Sequence, residues 1–237
     1  MSQAGTVPLQ TGAGNPTRVS PLVLKAGADR EVCDPARGLY SHLTPDGVWL
    51  PGGASNVGAA SLGALVPSAA GREGAFDDEV ATVSSPVVVY PLPFAGERFP
   101  WRNATATATV VGGDWAGLSM AEAYRAVLEG VALVERWGLE VLADAGVPSR
   151  RHVLSGGASQ SLLWNRIRAS ALGRSVQVAS TRDSGFGAAV LAASVLRGEA
   201  LSVTAAALAR PALTVEPDAE LHRRLDEQYA RLREAIG

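Results

Sequence analysis

The sequence predicts an α/β fold in which helices are layered on short strands. Three observations support this prediction: an amphipathic helix beginning at Ser119, a strand–turn–helix stretch at residues 152–164, and an alternating strand at residues 175–179 that precedes another helix. Together they give the order helix, strand, helix, strand, helix, which is typical of α/β domains.

Composition places the chain among ordinary globular proteins. Its 237 residues are 47% hydrophobic and 19% charged, with a formal net charge of -2, which argues against binding to nucleic acid or to anionic membranes. The single cysteine, Cys33, cannot form an internal disulfide, and no Cys/His cluster has the spacing of a zinc site. The sequence shows neither a signal peptide nor a stretch as long as a membrane span, so we expect a cytoplasmic protein.

The first half predicts a small antiparallel unit. Residues 1–21 are rich in Gly, Pro, Thr and Ser and have no helical or strand periodicity, so we expect a loose tail. Strands are predicted at residues 22–25, 38–41 and 48–50, with a turn at residues 45–47. Short strands joined by a turn favour antiparallel pairing.

Small and polar residues dominate the next segments. Residues 51–56 (Pro-Gly-Gly-Ala-Ser-Asn) predict a glycine turn, and residues 57–65 predict a small-residue helix that packs closely on a sheet. Residues 68–78 indicate a surface loop, and residues 86–90 a short buried strand.

Residues 91–100 predict a shaped loop, because three prolines and a glycine interrupt any regular structure. Glu97 and Arg98 are expected at its tip. They form either a solvated pair or part of a loop that braces an active-site cleft, and their spacing favours the solvated pair. Residues 104–111 alternate Thr and Ala before two valines, which indicates an edge strand or an extended connector.

The clearest helix begins at Ser119, whose hydroxyl can cap it, and Glu122 completes a capping box. Apolar residues recur at intervals of three and four along one face: Tyr124, Val127, Leu128, Val131, Val134 and Leu142. We expect Gly138 to bend this helix, and Gly146 with Pro148 to end it.

Two further helices flank the strand at residues 175–179. The first runs through Ile167 and ends at Gly173. The second begins near Asp183, and residues 187–193 give it a small, close-packing face.

The sequence ends in a predicted amphipathic helix that begins at position 217 or 218, after an Ala-rich connector at residues 201–211. Its apolar face contains Leu221, Leu225, Leu232 and Ile236. On the exposed side we expect ion pairs between Glu220 and Arg224 and between Glu227 and Arg231.

Residues 152–164 (His-Val-Leu-Ser-Gly-Gly-Ala-Ser-Gln-Ser-Leu-Leu-Trp) predict a strand, a glycine turn and a helix N-terminus. Gly156 and Gly157 lack a Cβ, so a ligand could lie flat against the backbone, and the free N–H groups of the helix carry a partial positive charge. Such a turn suits a nucleotide. Small residues are also needed wherever a strand turns into a helix, so the motif alone favours a structural role.

Several pieces of the sequence, taken in order, carry a family resemblance: residues 23–25, 38–42, 49–56, 90–92, 96–100, the capped helix, and residues 155–161 and 187–189. Together they resemble the C-terminal half of the FGGY family of carbohydrate kinases, and most closely its xylulokinase-like or ribulokinase-like branch. The resemblance implies the actin-like, ribonuclease-H-like ATPase fold, with a mixed sheet and packed helices, in which two domains flank a cleft.

The resemblance also implies a site. Gly156, Gly157 and Ala158 match the turn that lies against the adenosine of ATP, and Ser161 matches a polar position close to the adenine. Asn165, one helical turn further along, faces the same way. The implied chemistry is in-line transfer of the γ-phosphoryl group to a sugar hydroxyl, with Mg²⁺ neutralising the phosphates and an aspartate accepting the hydroxyl proton.

The sequence departs from the family pattern before residue 22. Family members carry a Gly-Thr or Gly-Ser phosphate loop here, with the catalytic aspartate shortly upstream. Residues 15–21 instead read Asn-Pro-Thr-Arg-Val-Ser-Pro, and no Asp or Glu precedes Asp29. We therefore assign no catalytic residue and no metal ligand, and expect residues 1–21 to be an unrelated tail, 22–200 the nucleotide-binding domain, and 201–237 a connector and terminal helix.

The resemblance thus predicts the ATP-binding half of a ketopentose-like sugar kinase, inactive alone because the base and the sugar-binding domain are missing. The alternatives are a non-catalytic nucleotide-binding module and a truncated gene fragment. The fragment is favoured if residues 87–89 and helix faces lie exposed as one apolar patch. A nucleotide is the expected partner, with sugar only if another chain supplies an N-terminal domain.

Overall fold

The structure, a computed structural model, describes residues 4–6, 21–69 and 73–236. The strands are β1 Ala4–Thr6, β2 Pro21–Lys25, β3 Tyr40–Leu43, β4 Trp49–Gly58, β5 Val88–Tyr90, β6 Thr109–Val111, β7 Val153–Leu154, β8 Val176–Ala179 and β9 Pro211–Val215. The helices are α1 Ala60–Leu65, α2 Glu73–Val80, α3 Met120–Asp144, α4 Leu162–Leu172, α5 Ser184–Arg197, α6 Leu201–Leu208 and α7 Ala219–Ile236.

Helix α3 is the centre of the fold. The capping box predicted at its start is present, because the Ser119 hydroxyl accepts from the Glu122 N–H and the Glu122 carboxylate accepts from the Ser119 N–H. The helix contacts β2, β4, β5, α1, α2, α4 and α7, and most of its residues are buried. The apolar stripe read from the sequence is therefore the main surface on which the other elements pack.

The antiparallel unit predicted for the first half is confirmed, but it extends further than expected. Strand β4 pairs with β2 on one side and β3 on the other. It runs without a break from Trp49 to Gly58, so the prediction of a glycine turn at residues 51–56 was wrong, and α1 begins at Ala60 rather than at residue 57.

Close approach explains the glycines inside β4. A Cβ on Gly52 would lie 1.8 Å from the carbonyl oxygen of Leu24, and a Cβ on Gly53 would lie 2.2 Å from the ring of Phe99. Neither glycine has a positive φ. Both positions therefore require glycine because another part of the chain occupies the space that a side chain would fill. A pattern of consecutive residues does not show such a distant contact.

Two segments that the sequence marked as irregular form secondary structure. Residues 68–78 contain the start of α2 instead of only a loop, and Phe76 and Val80 of this helix are buried in the core. Within the expected tail, β1 pairs with β6, so β6 lies between β1 and β5 and is not an edge strand. The rest of that tail, residues 1–3 and 7–20, lies outside the described residues.

The second half contains a mixed sheet. Strand β8 pairs in parallel with β7 and antiparallel with β9. Helix α4 connects the parallel pair and packs on α3, as expected for a strand–helix–strand unit. The Ala-rich segment after residue 200 forms α6, and β9 returns to the same sheet.

Helix α5 does not pack as its sequence predicted. Residues 187–189 of the expected close-packing face are exposed, and α5 packs mainly on α6. Of its side chains, Val190 and Ser194 are buried, whereas Val195 is 75% exposed and Leu196 is 88% exposed. The α5–α6 pair therefore presents apolar side chains to solvent.

Helix α7 closes the core from the other end of the chain. Leu225 and Leu232 are fully buried, and the helix packs on α4, α3, β5 and β6. Arg224 does not pair with Glu220 as predicted: it binds Glu129 of α3, while Glu220 pairs with Arg223. No helix in the described part of the chain combines the length and apolar character needed to cross a bilayer.

Candidate functional site

The glycine turn after β7 has more structure than the sequence indicated. Gly156 has φ +83°, and a short 3-10 turn, Gly157–Gln160, separates it from α4. Ser161 is the N-cap of α4, where its Oγ accepts from the N–H of Trp164 at 2.9 Å. The helix therefore begins at Leu162 with Ser161 as its N-cap, within the stretch that predicted a helix N-terminus, and the 3-10 turn separates it from the glycines.

The two glycines differ in why they lack a side chain. At Gly156 the positive φ strongly favours glycine. Gly157 has no such φ, and an ideal Cβ on either residue would meet no atom within 4 Å. Packing and backbone geometry therefore do not explain the bare surface at Gly157, which faces open space.

That space is a cleft of about 1330 Å³. The turn forms one part of its wall, and the other parts come from β2, the start of α1, α2, α3 and the first turns of α4. Asp77 and Asp78 of α2 and Arg151 and Arg166 contribute charges of both signs to the lining. The volume exceeds the usual range of small-molecule sites.

Four of the five residues predicted from the sequence line this cleft: Gly156, Gly157, Ala158 and Ser161. Ser161 is half-buried. Because its oxygen accepts the Trp164 N–H, its hydroxyl hydrogen remains able to donate to a ligand.

The fifth residue, Asn165, lies beneath the turn and not in the cleft wall. Its side chain is fully buried, and its Nδ2 donates to the carbonyl oxygen of Ser159 at 2.9 Å. It therefore contacts the turn from the side opposite to solvent.

Buried polar contacts join helix α4, which carries the turn, to α3. The indole N–H of Trp164 donates to the carbonyl oxygen of Leu128 at 3.1 Å. Arg168 binds Glu135 through two hydrogen bonds of 2.5 Å and 2.8 Å, and both side chains are buried. Such a bidentate pair restricts the orientation of the two helices.

His152 lies at the start of β7, beside the turn. Burial lowers the pKa of its imidazole, and the nearby Arg174 guanidinium lowers it further. Its Nε2 is 3.3 Å from Nη1 of Arg174. The neutral form of this histidine is therefore favoured next to the cleft.

Glu97 is not at a solvated loop tip, and the favoured prediction of a solvated Glu97–Arg98 pair was wrong. Glu97 is 4% exposed, and its carboxylate accepts from the Ser55 and Tyr90 hydroxyls, both at 2.7 Å, and from the N–H of Asn56 at 2.8 Å. Arg98 is exposed and contributes its backbone N–H to the same carboxylate at 2.7 Å.

This carboxylate joins the loop at residues 91–100 to β4 in a network that the sequence reasoning missed. Burial, followed by the Glu97 charge, raises the pKa of Tyr90 well above its ordinary value. Glu97 is not part of the cleft lining, so its contacts support the loop. The sequence indicated this network only through the predicted buried strand, which places Tyr90 just before the loop.

In the described part of the chain, no group of three or more His, Cys, Asp or Glu side chains is arranged to hold a metal ion.

Solved structures resemble most of the chain. A xyloylose (xylulose) kinase from Brucella ovis superposes with a TM-score of 0.74 at 26% identity, covering 90% of this chain and 44% of the kinase. A xylulose kinase from Bifidobacterium adolescentis gives 0.69 at 28% identity, with 89% and 41% covered. The glycerol kinase of Plasmodium falciparum, solved with ADP, gives 0.65 at 17% identity, with 90% and 44% covered, which shows the fold alone.

The chain therefore spans less than half the length of these kinases. A family model, that of the FGGY family of carbohydrate kinases, C-terminal domain, matches residues 24–196. The architecture is that of the actin-like ATPases, which the FGGY sugar kinases share. The chain belongs to the FGGY family of carbohydrate kinases and corresponds to the C-terminal domain of that family.

Proposed function

We propose that this chain is the ATP-holding half of a sugar kinase that transfers the γ-phosphoryl group of ATP to a hydroxyl of a ketopentose-like sugar. The observation that carries the proposal is the bare face of Gly157, which neither packing nor backbone geometry requires, in the wall of a nucleotide-sized cleft. Family membership and the xylulose kinase neighbours support the reaction class and the sugar class.

The adenosine of ATP lies against Gly156, Gly157 and Ala158 in this proposal. The absence of Cβ atoms at the two glycines lets a flat group approach the backbone, and the Ser161 hydroxyl is free to donate to the adenine. Asn165 supports this turn from below and makes no direct contact with the ligand.

Mg²⁺ is the expected companion of the nucleotide, and when bound it neutralises charge on the phosphates. We assign no residue of this chain to it. The cleft and the open glycines fit the adenosine part of the ligand, which is the part that this domain holds.

Turnover requires groups that we do not assign to this chain. Loss of a general base alone commonly lowers a rate by about 10² to 10⁴. We therefore expect this polypeptide to bind nucleotide without sugar-dependent turnover, and to act, in the cytoplasm, with an N-terminal half that supplies the phosphate loop, the base and the sugar pocket.

Calorimetric titration of the purified chain with ATP and ADP tests the binding, and co-expression with the N-terminal half of a related xylulose kinase followed by an assay of sugar-dependent ADP release tests the chemistry. Binding together with release supports the proposal. Binding without release under any pairing favours a non-catalytic nucleotide-binding module. Absence of binding by the folded chain contradicts both and favours a gene fragment.

A further inference from the structure

Asn165 is the buried support of the glycine turn. Its side-chain N–H donates to the Ser159 carbonyl at 2.9 Å, and Ser159 in turn donates twice to the Gly156 carbonyl, from its hydroxyl at 2.7 Å and from its N–H at 3.2 Å. Nη1 of Arg182 is a second donor to the Ser159 carbonyl, at 3.4 Å. A continuous set of hydrogen bonds thus joins Asn165 to the residue with the positive φ.

The oxygen of the Asn165 side-chain amide makes no hydrogen bond among the described residues. The Asn165 side chain is also fully buried. A buried acceptor without a partner lowers stability, and an apolar side chain of similar size would avoid this cost. The hydrogen bond to Ser159 is therefore the property of Asn165 that an apolar residue could not replace.

Helix α4 gives this support a rigid base. Trp164, one residue before Asn165, is tied to α3 through the Leu128 carbonyl, and Arg168 is tied to Glu135. The position of the Asn165 amide is consequently set by the core, and the turn above it takes its position from that amide.

Gly156 needs such a restraint, because glycine populates positive and negative φ about equally when it is free. A turn with several accessible shapes must lose this freedom when a ligand binds, which weakens binding. We propose that Asn165 is a positioning residue of the nucleotide site, which holds the glycine turn in its ligand-ready shape through Ser159. This inference rests on the proposed nucleotide-binding function.

The test is the Asn165→Leu variant, which removes the amide and keeps the approximate volume. We expect ADP binding, measured by calorimetry, to weaken by about tenfold or more, because the turn is no longer preorganised. Hydrogen–deuterium exchange of the ligand-free protein should be faster at residues 157–160 and unchanged in α3. Ile167→Val, which removes a buried methylene from the same helix without touching the turn, should change neither measurement.

Failure of this inference can be distinguished from failure of the proposed function. If the wild-type chain does not bind ADP, the proposed function fails, while the exchange measurement still tests the support. Unchanged exchange and unchanged affinity in a folded Asn165→Leu protein overturn the inference. Should Asn165→Leu not fold, Asn165→Ser takes its place, since its shorter side chain no longer reaches the Ser159 carbonyl. Normal affinity and normal exchange in that variant overturn the inference equally.

Discussion

Gly156 and Gly157 are adjacent in the sequence, but only Gly156 has a backbone conformation that favours glycine. Gly156 has a positive φ, so its side chain is excluded by the backbone, whereas Gly157 has an ordinary φ and no neighbour within 4 Å of an ideal Cβ. A substitution at Gly156 therefore tests the backbone conformation of the turn, whereas a substitution at Gly157 tests ligand binding.

Replacing Gly157 by valine should abolish nucleotide binding and change the free energy of unfolding by less than about 1 kcal/mol, because the branched side chain occupies only open space. Calorimetry with ADP and urea unfolding measure the two quantities. Gly63→Val is the matched control, since a Cβ there also meets nothing within 4 Å and the position is outside the cleft lining. Retained binding in Gly157→Val would show that the adenosine lies elsewhere.

His152 should make stability depend on pH. Its pKa in the folded protein lies below the ordinary value of 6.5, so the unfolded chain binds more protons in the interval between the two values. Stability from this residue is therefore present above about pH 6.5 and is lost as the pH falls toward the folded-state pKa. Urea midpoints at pH 7.5 and 5.5 should differ less for His152→Phe than for the wild type, and an equal difference would contradict this assignment.

At the scale of whole elements, local signals predicted α3 well but missed features that depend on distant contacts. The capping box and the apolar stripe predicted α3 because both are properties of consecutive residues. The glycines in β4 and the extra strand β1 depend on contacts with distant parts of the chain, namely Phe99 and β6. Glu97 was missed for the same reason, since its partners Ser55 and Tyr90 come from two other segments.

Helix α3 should be sensitive to its cap. Ser119→Ala removes the hydroxyl that accepts the Glu122 N–H, so we expect a loss of about 1 kcal/mol in the free energy of unfolding. Ser119→Thr keeps a hydroxyl at this position and should lose less. Chemical denaturation of the two variants gives the comparison, and equal losses would show that the cap contributes little.

The loop at residues 91–100 should depend on Glu97. Glu97→Gln presents an amide N–H₂ to some of the donors that now bind a carboxylate, and we expect a loss of about 2 to 4 kcal/mol. Arg98→Ala, which removes an exposed neighbouring side chain, should stay within about 0.5 kcal/mol of the wild type. Similar losses in the two variants would contradict a specific role for the buried carboxylate.

At the scale of the whole molecule, the segment that the fragment alternative expected to be exposed is buried instead. Residues 87–89 are buried in the core. The most exposed large apolar side chains, Val195 and Leu196, lie on α5, and further exposed ones lie on β2, β3, α4 and α6. The described residues thus pack a core around α3, and the largest exposures of apolar side chains are on α5.

Leu196→Gln should consequently leave the free energy of unfolding within about 0.5 kcal/mol of the wild type, because this side chain is 88% exposed. It should also lower the fluorescence of a dye that binds exposed apolar surface. Leu225→Ala, in the buried face of α7, is the contrasting variant, with an expected loss of about 2 to 5 kcal/mol. A large loss in Leu196→Gln would mean that α5 is packed in solution.

The terminal helix has a practical consequence for anyone who shortens this protein. The region matched by the family ends at residue 196, yet β9 completes the mixed sheet beyond it and α7 buries Leu225 and Leu232 against the core. A polypeptide cut after Arg197 would expose both the edge of β8 and the surface beneath α7. Expression boundaries for this domain should therefore include Ile236.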